Sequence, residues 1–252
     1  MGFALTSVLP WRLSRRENGE EPRSARWERL ISVAKETAYY RGRDPNRMPA
    51  LDLTEFYERY REFRSRVAEK PVQQPLRAPW EPLPRVAVVQ PWFALEQRAC
   101  VVMRPSCEEL MDLKPEALAG PVDVLRSVAR AVLQTRLRLP SVRFGVLAFA
   151  GISRPTLSEA DRDLFWRAFE VPVTEQFRGF QGELLAMECE RREGLHVVEQ
   201  AGQWELSGDE ELLLTSFENL RYPALRLATG LRGWIERGKC GCGNRSPRIR
   251  ML

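Results

Sequence analysis

A histidine and three cysteines place the strongest constraint on how this chain can fold. The only histidine, His196, follows Cys189 closely, and a Cys-x-Cys pair, Cys240 and Cys242, comes much later in the sequence. Three thiolates and one imidazole form a ligand set that zinc binds tetrahedrally, and four protein ligands are typical of a structural site. We therefore predict that two distant segments converge on one structural zinc ion.

Spacing alone leaves alternatives to this metal site open. Cys-x-Cys is less common than the Cys-x2-Cys knuckle, and unpaired cysteines are often small buried apolar residues. A disulfide between Cys240 and Cys242 would be strained. Cys100 and Cys107 lie elsewhere, and we expect them to be ordinary core or surface residues.

Four cations flank the predicted ligands. We expect these side chains to lower the thiol pKa values and to offset the negative charge of three thiolates. The four are Arg191, Arg192, Arg237 and Lys239.

Composition excludes several classes of protein. The chain has 252 residues and a net charge of +5, with 39 Lys and Arg interspersed among 34 Asp and Glu, as on an ordinary solvated surface. No apolar stretch approaches the roughly 20 residues of a membrane helix. No secretory signal is evident, and an odd number of cysteines argues against a secreted disulfide framework, so we predict a cytoplasmic protein. We expect no nucleic-acid contact at the N-terminal arginines, which are Arg23, Arg26, Arg29, Arg41, Arg43 and Arg47.

The apolar pattern divides the chain into five parts. Residues 1–24 have no sustained period and are predicted to be a flexible lead, whereas residues 25–70 have helical spacing. Prolines make residues 71–84 an extended connector. Residues 85–173 alternate between strand-like and helix-like segments, which predicts an α/β domain with a mostly parallel sheet and helices on its faces. Residues 174–252 contain short strand-like runs and are predicted to form a smaller, zinc-clamped β-rich lobe.

Individual elements follow from the same pattern. Ser158 with Asp161 three residues later is close to a capping box, and Asp52 or Thr54 can cap an earlier helix. A further helix is predicted over residues 121–137. Strands are predicted at residues 86–90, 99–103, 144–150, 184–188, 197–199, 204–206 and 211–215.

Motifs in a fixed order begin at about residue 117. They are Leu139-Pro-Ser141, Phe169-Glu-Val-Pro-Val173, Glu188-Cys-Glu190 with Gly194-Leu-His196, Leu214-Thr215, Tyr222-Pro-Ala-Leu-Arg226 with Thr229-Gly230, and Cys240-Gly-Cys-Gly243 ending in Ser246-Pro-Arg-Ile249. In these motifs the chain resembles the phenylacetate-coenzyme A ligase branch of the adenylate-forming enzymes. The resemblance implies part of the large domain of that fold. Some members carry zinc on the equivalent cysteines and histidine, which supports the metal prediction.

The chain departs from that family where the nucleotide would bind. It lacks the family's Ser/Thr/Gly-rich phosphate loop, and Leu231 stands where the family has the aspartate that holds the ribose. The family's Tyr-Gly-x-Thr-Glu segment is replaced by Glu175-Gln-Phe-Arg-Gly179. The sequence ends at Leu252, before the position of the C-terminal domain that carries the adenylation lysine. The departures argue against autonomous adenylation.

Two functions are therefore considered. The leading hypothesis is a degenerate homologue that acts as a zinc-stabilised structural or partner-binding protein, with a protein partner supplying the missing domains. The alternative is an acyl or aryl acid ligase that works with a separate polypeptide or has altered nucleotide binding. ATP or AMP and magnesium would then be cofactors in a cleft lined by Glu175, Arg178, Arg226 and Thr229. In that case Arg226 would pair with a phosphate or carboxylate and Glu175 would contact magnesium, whereas an ordinary ion pair is the simpler explanation for each.

Overall fold

A computed structural model describes residues 21–67, 73–96 and 100–252, with the side chain of residue 46 left out. The helices are α1 (Arg23–Glu36), α2 (Leu53–Glu58), α3 (Cys107–Leu113), α4 (Val122–Thr135) and α5 (Glu159–Phe169). The strands are β1 (Val86–Val89), β2 (Cys100–Val102), β3 (Ala117–Pro121), β4 (Gly145–Gly151), β5 (Val173–Arg178), β6 (Leu184–Glu188), β7 (Leu195–Val197), β8 (Gly202–Leu206), β9 (Glu211–Ser216), β10 (Leu227–Glu236) and β11 (Arg248–Met251). Two short 3-10 helices span Pro45–Arg47 and Tyr60–Phe63.

All the strands of the described residues belong to one mixed sheet. Its eleven strands run in the order β2-β1-β3-β4-β5-β6-β7-β11-β10-β9-β8. The pairings from β2 to β5 are parallel, and every pairing from β5 onward to β8 is antiparallel. The prediction of a mixed α/β fold is confirmed. The antiparallel strands continue the parallel ones edge to edge, however, because β6 pairs with β5 as a direct neighbour.

The parallel region, which comprises β1 to β5 with α3 to α5, has helices on one face. In β4, Val146 and Ala148 point toward the helices and join a core that includes Leu125 of α4 and Phe165 of α5. Period-2 alternation places Leu147 and Phe149 on the opposite face. Because both faces are covered, all seven residues of this strand are buried.

Among the described residues, the opposite face of the parallel region is covered by extended and loop segments. Leu76, Ala78 and Trp80 of the proline-containing segment pack there, together with Trp92 and Phe93 from the loop after β1. Helices were predicted on both faces, and that detail is wrong here because prolines keep the covering segment extended. The connector thus serves as a layer of the fold.

The antiparallel region, which comprises β6 to β11, packs against the N-terminal helices. Leu30 and Ile31 of α1 and Phe56 of α2 share a core with Leu185 of β6 and Leu214 of β9. Tyr40 is buried beside them, and its hydroxyl accepts a 3.0 Å hydrogen bond from the Leu225 backbone N–H. The N-terminal helices are therefore integral to this end of the sheet.

Local helix signals act as predicted. Ser158 and Asp161 form the full capping box at the start of α5, and the Asp52 side chain caps α2 through the Thr54 and Glu55 N–H groups. None of the described helices is both long enough and apolar enough to cross a membrane.

Strand predictions are confirmed where side chains are bulky and apolar, as in β1, β4, β6 and β9. The sequence patterns missed β3, β5, β10 and β11. Some predicted segments lie outside the described residues. They are residues 1–20 of the flexible lead, residues 68–70, residues 71–72 of the connector and residue 99 of one predicted strand.

Candidate metal centre and ligand cavities

The four predicted metal ligands come together at one point. Cys189 follows β6, His196 lies in β7, and Cys240 and Cys242 lie in the loop between β10 and β11. Their donor atoms all fall within 4.8 Å of one another, with Cys189 Sγ 3.8 Å from Cys240 Sγ and Cys242 Sγ 3.4 Å from His196 Nε2. The cluster can hold a metal ion.

The β10–β11 loop is shaped to bring two thiols inward. The Gly243 N–H donates to the Cys240 carbonyl at 2.9 Å, and Gly243 has φ +91°, a conformation that L side chains rarely adopt. The Asn244 N–H donates to Cys242 Sγ at 3.4 Å. The turn thus holds Cys240 through its carbonyl and Cys242 through its sulfur.

The histidine ring is held from its far side. His196 Nδ1 lies 3.2 Å from Ser246 Oγ, while Nε2 faces Cys242. Metal-ligating histidines usually engage the second ring nitrogen in such a bond, which fixes ring orientation and tautomer. The Ser246 backbone N–H donates in turn to Asn244 Oδ1 at 2.9 Å.

Burial controls the protonation of this cluster when no metal is bound. Desolvation raises the pKa of the Cys189 thiol and of the Cys242 thiol, and it lowers the pKa of His196. The expectation that flanking cations lower the thiol pKa values is therefore wrong for the metal-free protein. Burial thus favours protonated thiols at Cys189 and Cys242 and a neutral His196 imidazole, and metal binding must displace the protons of those two thiols.

A buried arginine stabilises the base of the cluster. Arg248, which is 4% exposed, forms ion pairs with Glu193 at 2.9 Å and with Glu236 at 2.7 Å. Glu193 also lies 3.6 Å from Cys240 Sγ. Cys100 and Cys107 are half-buried, carry free thiols and lie outside the cluster.

The four predicted cofactor-binding residues each have partners inside the protein. Glu175 is buried and accepts a 2.9 Å bond from the Leu157 N–H, and burial raises its pKa to about 7. The Arg178 guanidinium is fully buried between the rings of Phe93 and Phe149, at 4.8 and 4.7 Å. Desolvation lowers the pKa of Arg178 to about 9, so the side chain stays protonated at neutral pH.

The other two predicted residues lie at the β9–β10 end of the sheet. Arg226 donates to the Met48 carbonyl at 2.9 Å and lies 3.3 Å from Glu205. Thr229 donates to the Leu212 carbonyl at 2.7 Å. Among the described residues, Glu175, Arg178, Arg226 and Thr229 have no hydrogen-bond partner in common, so their assignment to one cleft stays a prediction.

Two cavities open along the carboxyl ends of the parallel strands. The β4–β5 cavity, of about 440 Å³, is bordered by Tyr57, Trp92, Asp123, Arg154, Arg178 and Phe180. The β1–β2 cavity, of about 610 Å³, is bordered by Gln90, Arg104, Cys107, Asp123 and Ser127. Asp123 borders both. In open α/β sheets ligands bind outside the carboxyl ends of the strands, and both cavities lie at that edge.

Sequence reasoning missed Tyr57, Trp92 and Arg154 as site residues. They come from the helix α2, the loop after β1 and the loop after β4, and no local pattern links them. Trp92 and Arg154 do share one general signal, because each follows the carboxyl end of a predicted strand.

Comparison with solved structures identifies the class of fold. A crystal structure of 2-hydroxyisobutyryl-CoA ligase in complex with 2-HIB-AMP and CoA, in an open conformation, matches with a TM-score of 0.66 and 14% identity over 89% of this chain and 72% of the ligase. The same ligase in the postadenylation state with R3-HIB-AMP matches with a TM-score of 0.64 and 15% identity over 90% of this chain and 66% of that one.

The chain therefore has the fold of an adenylate-forming CoA ligase over most of its length. At this level of identity the likeness concerns the fold alone. No protein-family model matches the chain, and no curated protein matches it.

Proposed function

We propose that this chain is an acid-activating protein of the adenylate-forming type, an acyl or aryl acid-CoA ligase or adenylating enzyme with altered nucleotide binding or a separate partner polypeptide. Its β-rich end is held by a structural zinc ion. The single observation that carries the proposal is the chain-wide fold match to 2-hydroxyisobutyryl-CoA ligase. This is the second of the two hypotheses from the sequence, and the neighbours support it better than a non-enzymatic role.

The position of the β4–β5 cavity adds support. A volume of about 440 Å³ falls within the range of small-molecule sites. Apolar Trp92 and Phe180 border it together with the charged Arg154 and Asp123, a mixture typical of ligand pockets. The missing glycine-rich loop is the reason that we propose altered rather than typical nucleotide binding.

Zinc is the metal that the donor set favours. Bonds of about 2.3 Å to sulfur and about 2.0 Å to nitrogen in a tetrahedron separate two sulfurs by about 3.8 Å and a sulfur from a nitrogen by about 3.5 Å. The distance of 3.8 Å between Cys189 Sγ and Cys240 Sγ and that of 3.4 Å between Cys242 Sγ and His196 Nε2 agree with these two separations. We expect elemental analysis of protein prepared without chelator to find about one zinc per chain. Absence of zinc from such a preparation would refute the assignment.

Acid-dependent exchange of labelled pyrophosphate into ATP tests the activity. We expect exchange at least tenfold above the acid-free blank for one member of a panel of hydroxy, aliphatic and aryl acids. Ser153→Phe should abolish exchange by filling the β4–β5 cavity. Its matched control, Ser127→Phe, alters the β1–β2 cavity and should retain it.

A binding measurement covers the case in which a separate polypeptide is required. Acyl-sulfamoyl adenosine, a stable mimic of an acyl adenylate, should raise the melting temperature of the wild type because it binds only the folded state. If neither exchange nor stabilisation occurs with any acid, the chain is not an acid-activating protein.

The second candidate is a zinc-stabilised protein that binds a partner and performs no adenylation. It is favoured by the internal contacts of Arg178, Arg226 and Thr229, which leave those side chains engaged within the fold. A negative result in both assays above, with zinc present, is the outcome that this candidate predicts. In either case we propose a cytoplasmic location, where free thiols persist.

A further inference from the structure

Arg154 borders the β4–β5 cavity, and no hydrogen bond joins its guanidinium to another described residue. It follows β4, is half-buried, and lies over the Trp92 ring, whose centre is 4.2 Å from the guanidinium carbon. Within the described part of the chain, no carboxylate or carbonyl accepts from its side chain. None of its nitrogens is fully enclosed, so its five N–H donors are open to solvent or to a ligand.

The ring under Arg154 is fixed in place. Trp92 Nε1 donates to the Gly179 carbonyl at 3.1 Å, and the ring also contacts Phe93 and Phe149 edge-on. The indole therefore offers a rigid face that orients the Arg154 guanidinium. An arginine that stacks on an aromatic ring keeps its N–H edge available for a planar oxyanion.

A hydroxyl and two further rings complete the cavity. Tyr57 donates to Ser153 Oγ at 3.1 Å, which leaves the Ser153 hydroxyl proton for another acceptor. Phe180 stacks on Phe56 with ring centres 5.3 Å apart, and Tyr57 meets Phe180 edge-on. The walls opposite Arg154 are thus aromatic and suit an apolar body.

The charged residues that border the cavity are Arg154, Arg178 and Asp123. Arg178 lies behind the wall, fully buried, and the nearby buried carboxylate of Glu183 acts on it electrostatically. Its terminal nitrogens donate to the Gln176 side chain and the Gly182 carbonyl, both uncharged. Asp123 contributes the opposite sign at the cavity edge, while Arg154 supplies the half-buried guanidinium that a ligand can reach.

We propose that the β4–β5 cavity binds an organic anion, with its oxyanion on Arg154 and Ser153 and its apolar body against Trp92, Tyr57 and Phe180. Arg154 is the anion-binding residue, and Trp92 is the residue that positions it. The oxyanion is a carboxylate or a phosphate monoester, which share this recognition chemistry. The inference deepens the proposed function, but anion binding is measured without ATP and so stands or fails separately from adenylation.

The test compares three ligands of similar shape on the full chain. Benzoate, phenyl phosphate and neutral benzamide are each titrated by calorimetry, and 4-fluorobenzoate is followed by fluorine NMR as an independent reporter. We expect at least one of the two anions to bind at least tenfold more tightly than benzamide. The tighter of the two identifies whether the oxyanion is a carboxylate or a phosphate.

Arg154→Met keeps the apolar stem and removes the charge. We expect its affinity for the preferred anion to fall at least tenfold, with benzamide affinity unchanged. The matched control is Arg143→Met, because Arg143 also lies over an aromatic ring, Phe144 at 5.3 Å, but is 68% exposed and outside the cavity. Affinity in that variant should equal that of the wild type.

Several results would overturn the proposal. Equal affinities for benzamide and both anions would show that the charge of the ligand is not required. If neither anion binds at concentrations of about 10 mM, the cavity is not an anion site. Undiminished anion binding by a folded Arg154→Met would exclude Arg154. The comparison of charged and neutral ligands uses the wild type alone, so it decides the matter even if a variant does not fold. Anion binding without pyrophosphate exchange would sustain this inference while refuting autonomous adenylation.

Discussion

The parallel and antiparallel regions of one continuous sheet are stabilised by different means. In the parallel region, β4 lies between an aliphatic helix-facing core and an aromatic core on the other face. In the antiparallel region, the loops at the β6–β7 and β10–β11 ends converge on the cluster of Cys189, His196, Cys240 and Cys242.

The difference follows from connectivity. A parallel pair requires a long crossover, and in this region the crossovers after β2, β3 and β4 contain the helices that bury one sheet face. Short antiparallel strands are joined by tight loops that carry little apolar surface, so a metal ion can supply the cross-link. The parallel region should therefore depend on packing alone, whereas we expect the antiparallel region to depend on bound metal in addition to its core with α1 and α2.

The largest expected effect is the loss of the metal from the antiparallel region. His196→Ala removes a buried ligand and should abolish most of the bound metal, since three thiols alone leave the site incomplete. We expect a loss of about 5 kcal/mol in the free energy of unfolding and a fall of about 10–20 °C in melting temperature. Elemental analysis and thermal melting measure the two effects.

Cys107→Ser serves as the control for that variant because Cys107 is a free thiol outside the cluster. Its metal content and melting temperature should match the wild type. If His196→Ala melts like the wild type with its metal retained, the two regions do not differ in the way described.

The next effect separates packing from metal binding. Phe165→Ala opens a cavity between α5 and β4, where Phe165 is fully buried, and should cost about 4 kcal/mol. Metal content should remain at about one per chain below the melting transition. Trp166→Ala in the same helix, where the ring is 57% exposed, should change the unfolding free energy by no more than about 0.5 kcal/mol. Metal loss in folded Phe165→Ala would show that the regions are coupled.

A pH-dependent effect lies at β5, where the two regions meet. The pKa of Glu175 is raised to about 7 in the folded protein by burial, whereas its ordinary value is 4.5. A raised folded pKa means that the stability is fully present below pH 4.5 and is lost as pH rises toward 7. Glu175→Gln keeps an oxygen for the Leu157 N–H, so it should add about 3 kcal/mol at pH 8 and nothing at pH 4.5.

Urea unfolding at the two pH values measures that change. Glu188, Arg162 and Asp161 face the same interior and are kept intact in the variant. Glu159→Gln is the control, because its carboxylate is 92% exposed and should contribute less than about 0.5 kcal/mol. Equal gains at both pH values would contradict a buried, titrating Glu175.

The smallest expected effect tests how much a helix cap contributes to the stability of the parallel region. Ser158→Ala removes the cap of α5 and should cost about 1 kcal/mol without altering metal content. Ser127→Ala, within α4 and exposed, should remain within about 0.5 kcal/mol of the wild type by the same denaturation assay. A loss at Ser158 no larger than at Ser127 would mean that packing alone maintains α5.

Elements with strong local signals could be predicted. The capping box of Ser158 and Asp161, the apolar run of β4 and the helical period of α4 are each read over a few residues. Strand β3 was missed because its small residues and terminal proline, Ala117 to Pro121, look unlike a strand. The strand forms nonetheless because β1 and β4 pair with it on both sides.

The sequence by itself singled out four candidate metal ligands, since the one histidine and three of the five cysteines lie in two short segments. The tertiary structure decided that their donor atoms meet within 4.8 Å, that Arg178 is buried between two rings, and that Arg154 faces a cavity without a protein partner. The physical reason is the distance along the chain over which each interaction acts. Helix caps and apolar periods act between near neighbours, whereas burial, pKa and cavities depend on segments that are brought together only by the folded sheet.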